Sequence, residues 1–176
     1  MRKALVILAG LSDSDMDWIA QAGRCHVVPP GTSIIVEREA VHSLFIILDG
    51  LAVVTIRGVE VDRAAAGDIL GEMSLLERLP PTASVTPLIA TTLLAISHAD
   101  LRRKLADDIG FGCRFYHALA VFLAHRLRQR GLGRGAAGPS AGGTADEDEI
   151  DEGILDNVHL AGAKFDKLLK LTLKAT

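Results

Sequence analysis

Apolar and polar positions divide this chain into stretches of distinct texture. Residues 12–24 open with Ser12 and Asp13, whose side chains suit a helix start, and run with helical spacing to Gly23. From Cys25 to about His98 the pattern changes to short β-rich runs separated by turn residues. These runs are CHVV, TSIIVE, SLFIIL, LAVVTIR, VEVDRAA, DIL, ASVTPLI and TTLLAIS. Pro29-Pro30-Gly31 breaks the first from the second, and Asp49-Gly50 is a strong tight-turn signal after the third. So many short strands at close spacing predict a sandwich or barrel.

Two helices are expected next. His98-Ala-Asp100 opens one over LRRKLADD. The other runs from about Gly110 to Arg130, with Phe111, Phe115, Leu119, Phe122 and Leu123 at core spacing. Its basic end, Arg126, Arg128 and Arg130, suits a helix C-terminus. Gly131 to Thr144, GLGRGAAGPSAGGT, reads as a flexible linker. The acidic run DEDEIDEG then leads into a tail with Ile154, Leu155, Val158, Ala161, Phe165, Leu168 and Leu169 on one stripe and lysines 164, 167, 170 and 174 toward its end. That is one amphipathic helix. Its apolar face must bury on its own domain, on a second copy or on another protein, because such a helix has little stability alone. The division expected is therefore a domain over 1–130, a linker over 131–145 and a tail helix over 146–176.

Composition narrows the function. The chain has 176 residues, 49% hydrophobic and 23% charged, which suits one folded domain with an appendage. Its net charge of -3 argues against a nucleic-acid binder. Cys25 and Cys113 share no metal spacing with each other or with the histidines, so reduced thiols are expected. The N-terminal MRKALVILAGL has the texture of a secretion signal, but Ser12 to Asp15 follow at once without a small-residue cleavage site. No run approaches the ~20 apolar residues of a membrane span. A cytoplasmic protein is expected. No GxSxG-type elbow supports a nucleophile, and no cofactor motif is present, so an enzyme is not expected.

The candidate chemistry lies in GEMSLLERLPPTASV, Gly71 to Val85. Strand DIL ends at Gly71, which lets backbone approach closely. Glu72 to Glu77 can form a short helix whose first N–H groups face whatever sits beside Gly71. Glu72 can accept from a sugar hydroxyl, and Thr82, Ala83 and Ser84 offer hydroxyls and backbone donors opposite. Together these residues can hold a phosphodiester and a ribose.

With the leading helix, PGTSIIVEREAVHSLFIILDG, AAAGDILGEMSLLE, PPTASV and the two closing helices in this order, the chain resembles the cyclic nucleotide-binding domain family over about Leu11 to Arg130. The resemblance implies a mainly β fold, an eight-stranded jelly-roll-like β-barrel with an N-terminal helix, two C-terminal helices and, here, a tail helix. It implies a non-catalytic regulatory module for cAMP or cGMP. By position, Glu72 matches the ribose-binding glutamate, Gly71, Met73 and Ser74 match the phosphate cassette, and Ala83 and Ser84 match the small residues after the family's arginine. That arginine would fall at Pro81, or at Thr82, and neither is basic. Arg38 stands where the family commonly has glycine. A lost charge-assisted contact to phosphate costs about 1.5–3 kcal/mol, roughly ten- to a hundredfold in affinity. Two expectations follow: a stand-alone sensor of cAMP or cGMP signalling through its C-terminal helices, or a degenerate scaffold working as an oligomer or adaptor through the 111–127 and 150–170 segments. The acidic run and the single tail helix leave no helix-turn-helix, so DNA is not an expected partner, nor is a membrane.

Overall fold

A computed structural model describes residues 10–134 and 152–173 of the chain. The signal-like start, most of the Gly-rich linker and most of the acidic run lie outside the described residues.

Helix α1, Asp13–Ala22, starts on a capping box. The Ser12 hydroxyl accepts from the Asp15 amide, and Asp15 returns a bond to the Ser12 amide at 2.8 Å. Ser12 is thus the cap, and its reciprocal partner is Asp15. Strands β1 (Arg24–Val28), β2 (Ser43–Asp49), β3 (Leu51–Ile56), β4 (Val59–Ala65) and β5 (Ile69–Leu70) follow. Helix α2 spans Glu72–Glu77, strands β6 and β7 span Ser84–Pro87 and Thr91–Ser97, and α3 covers His98–Asp107. Helix α4 runs Ile109–Arg134, beyond the expected end at Arg130 and into the first linker residues, and α5 is Glu152–Leu173.

The strands form two antiparallel sheets, ordered β1-β7-β2-β5 and β4-β3-β6. This corrects the expected eight-stranded barrel: seven strands are present among the described residues, and the sheets do not close into a barrel. The missing strand is TSIIVE. It lies beside β6 and exchanges bonds between Ile34 or Ile35 and Val85, yet it makes only an isolated bridge, Ile35 to Val85. Farther along, Arg38 turns left-handed at φ 67, and its amide bonds the Pro81 carbonyl instead of extending the ladder.

Asp49-Gly50 also acts differently from a hairpin turn. β2 and β3 pair with different neighbours, so this turn carries the chain from one sheet to the other. Gly50 sits at φ 117, and a Cβ there would fall 2.4 Å from the Thr91 hydroxyl oxygen. The true hairpin joins β3 to β4 through Arg57 and Gly58, both at positive φ as a two-residue primed turn requires.

The first sheet is buried on both faces, which explains the nearly unbroken apolar run of β2. Ile47, Leu70 and Leu93 face the second sheet and meet Ala52, Val54, Ala64 and Val85. Leu44, Ile46, Leu48, Leu94 and Ile96 face the helices. There Met16 and Ile19 of α1, Leu101 of α3, Phe111, Phe115, Leu119 and Phe122 of α4, and Phe165 and Leu168 of α5 complete the larger core. The tail helix therefore covers its own domain. Lys164 Nζ donates to the Leu11 carbonyl, and Lys167 Nζ lies 2.9 Å from the Asp17 carboxylate. The front of the stripe, Ile154 to Ala161, has no side chain among those described.

Candidate ligand-binding site

The second core layer opens into a cavity of about 350 Å³, a volume in the range that holds small ligands. One wall is the turn into α2: Gly71, Glu72, Met73 and Ser74. The opposite wall is Pro81, Thr82 and Ala83 at the approach to β6. Its floor is apolar, from Ile35, Val54, Leu70 and Val85. Leu123 and Leu127 of α4 lie across it.

Local chain geometry explains the first wall. Gly71 is the N-cap of α2 in the left-handed region, φ 83. A Cβ there would meet the Ser43 carbonyl oxygen at 2.6 Å, so both dihedral and space demand glycine. The Gly71 carbonyl accepts from the Leu75 amide, which locks the turn. Glu72 and Ser74 are buried, Glu72 at 3% exposure, whereas Met73 is exposed on the outer side of the turn. A carboxylate this enclosed beside a cavity is suited to receive hydroxyl donors.

Of the residues expected here, six line the same cavity: Gly71, Glu72, Met73, Ser74, Thr82 and Ala83. Ser84 does not line it; its hydroxyl accepts from the Glu37 amide at 2.9 Å and so fastens the 33–39 segment to β6. Arg78, close to these residues in sequence, lies outside the cavity lining. It is exposed, caps α2 in a left-handed conformation at φ 57, and donates its amide to the Ser74 carbonyl. Tyr116 and His117, both exposed on α4, are also away from the cavity lining. Glu72 is the one ionisable group among the described lining residues.

Sequence reasoning missed the apolar lining. Val54 and Ile56 share a face of β3 by their two-residue spacing, and Val61 joins them from β4. That alternation was readable, but it does not reveal that the layer between the sheets is incompletely filled. Nor does helical spacing show that Leu123 and Leu127 pass from core to cavity cover.

Behind the first wall lies His98, the first residue of α3, exposed by only 3%. Burial and the nearby Arg102 push its pKa below the usual histidine value, partly offset by the carbonyls of Gly71 and Val41. Its Nε2 makes no hydrogen bond. The imidazole is therefore neutral at pH 7 and sits under the Gly71 turn. On the far side of the helical core, Asp15 bonds Arg114 of α4 through both carboxylate oxygens, at 2.7 and 2.9 Å. Burial raises the Asp15 pKa, but the Arg114 guanidinium and the Ser12 bonds outweigh it and bring the value down to about 2.

Two β-sheets with this turn-helix cradle and closing helices enclose a cavity of ligand size. Residues 25–108 match the family model for the cyclic nucleotide-binding domain. The chain is 37% identical over 86 residues to a cAMP-dependent protein kinase regulatory subunit of Yarrowia lipolytica, covering 48% of this chain and 23% of that protein. It is 29% identical over 115 residues to the Pycsar effector protein XpPycTIR of Xanthomonas perforans, covering 64% of this chain and 36% of that one. The chain thus spans well under half the length of these curated relatives. Among solved structures, a cyclic nucleotide-binding domain from Methylobacillus flagellatus superposes with a TM-score of 0.66 at 22% identity, over 80% of this chain and 84% of that one, a likeness of fold.

Proposed function

We propose that this domain is a non-catalytic sensor that takes a cyclic nucleotide, cAMP or cGMP, into the cavity beside Gly71 and passes occupancy to α4. The observation that carries this reading is the convergence of Gly71, Glu72, Ser74, Thr82 and Ala83 on one cavity covered by Leu123 and Leu127. The Glu72 carboxylate receives the ribose hydroxyl. The Gly71–Ser74 backbone and the Thr82 hydroxyl face the cyclic phosphate. The apolar floor takes the base. A ligand held here touches α4 directly, so it favours whichever α4 placement fits it better, which is the requirement for signalling by population shift. A partner of α4 and α5, or a second copy of the chain, is the receiver of that signal, and the cytoplasm is the compartment in which such ligands are met.

Calorimetry and thermal shift with cAMP and cGMP test this reading. Saturable heat and a rise in melting temperature are expected, both weakened at least tenfold by Glu72→Gln. No heat and no shift at millimolar ligand would reject it.

A second reading, a scaffold that no longer senses, is favoured by Pro81 and by the lack of any basic side chain among the described cavity-lining residues. It predicts that removing residues 146–176 changes the mass in solution or abolishes partner capture. Burial of Phe165 and Leu168 on the domain itself leaves that tail less apolar surface to offer elsewhere.

A further inference from the structure

Three non-glycine residues among those described adopt positive φ, and all three are arginines: Arg38, Arg57 and Arg78. Elsewhere the chain uses glycine for this conformation, at positions 31, 50, 58, 67 and 71. A left-handed arginine is strained relative to glycine, and each of the three stands at a turn or helix end that calls for this conformation. Two of the three, Arg38 and Arg57, border one surface alcove of about 430 Å³ together with Glu37, Pro80, Pro81 and Thr82. Ile56, Pro81 and Thr82 line both the alcove and the main cavity, so the two spaces meet across the Pro81–Thr82 step.

The alcove is held in register by backbone. The Arg38 amide donates to the Pro81 carbonyl at 2.9 Å, and the Arg57 amide donates to Glu37 Oε2 at 2.8 Å. Glu37 is in turn tied to β6 through Ser84. Its carboxylate lies 3.8 Å from Arg38 Nε and offsets one of the two guanidinium charges, leaving the alcove with a net charge of one positive unit. The Arg38 side chain is 78% exposed. Pro81 is the position at which the family resemblance places the phosphate-binding arginine.

We propose that the alcove is an anion subsite of the cavity, from which Arg38 and Arg57 reach over the Pro81–Thr82 step to the phosphate of a nucleotide whose sugar is held by Glu72. The inference rests on the cyclic-nucleotide reading and deepens it. The guanidinium is supplied from two neighbouring loops, across the Pro81–Thr82 step, in place of the loop that lacks it. Guanidinium groups suit this task because their fork of donors matches two phosphate oxygens at once.

The test compares cAMP with adenosine, which lacks the anion, by calorimetry on the full chain and on Arg38→Gly/Arg57→Gly. Glycine removes both side chains and relaxes the left-handed backbone, so the double variant is expected to melt no lower than wild type. Wild type should prefer cAMP by about tenfold or more, and the preference should shrink as salt rises. The double variant should bind adenosine as wild type does and prefer cAMP by less than about threefold. If the double variant keeps the full preference, or if wild type shows none, the arginines are not the anion partners and the inference falls while nucleotide binding stands. If wild type binds neither compound nor cGMP, the sensing reading itself fails, and the subsite with it.

Discussion

Gly71 carries two constraints that no other residue type meets together, a positive φ and backbone contact behind its α-carbon. Gly71→Ala should therefore lower unfolding free energy by about 1–3 kcal/mol, measured by urea denaturation, and weaken ligand binding further by displacing the amides of α2. Asp15 makes a different kind of prediction. Its folded pKa, about 2, lies below the unfolded value of 3.8, so it contributes stability above about pH 4 that is lost as pH falls toward 2. With Arg114 partly open to water, that contribution is on the order of 1–2 kcal/mol at neutral pH. Asp15→Asn should unfold more easily at pH 7, and its stability should change less between pH 5 and pH 2 than that of wild type. These positions also show what sequence makes legible. Glu72 and Gly71 stood out because their residue types fit both a turn and a ligand. Ser84 stood out for the same reason, yet its hydroxyl is consumed by the Glu37 amide, a contact between residues far apart in sequence.

Among elements, the helices and most strands were readable from periodicity, since each buries a face that its own spacing announces. TSIIVE was not, because its composition favours a strand while Arg38 and the Pro81 carbonyl divert its backbone from the ladder. The Asp49-Gly50 turn was likewise visible, but its role in joining two sheets depends on which partners β2 and β3 choose. The destination of α5 was left open among three partners, and the described half of its stripe settles on α1 and β1 of the same chain. Phe165 is 2% exposed and Leu168 wholly buried. Phe165→Ala should cost about 3–5 kcal/mol if the helix stays docked. Thermal melting with tryptophan fluorescence checks this, as Trp18 of α1 packs against the same core. An unchanged melting temperature would show that α5 contributes nothing to the fold.

At the scale of the molecule, the cavity couples the two sheets to the helical layer. Leu127 is 74% exposed and yet borders the cavity, so it contributes little to the fold and much to the cover. Leu127→Asp should leave the melting temperature of the free protein within about 2 °C of wild type. It should weaken cAMP binding severalfold, since a carboxylate then faces an anionic ligand. Titration of both proteins with cAMP, followed by heat and by melting temperature, separates the two effects. Equal affinities would show that α4 does not reach the ligand and that its movement is not how occupancy is read.

His98 closes the first wall from beneath, with one ring nitrogen unpaired and the Gly71 carbonyl alongside. Nature has thereby placed a spectroscopic probe within the protein at the spot where occupancy should be felt. A neutral, enclosed imidazole gives narrow, tautomer-specific nitrogen and proton resonances, and burial holds its pKa below the usual histidine value. Filling the space above Gly71 should shift those resonances without any label being attached, so that a single-residue signal can follow the arrival of a guest in solution.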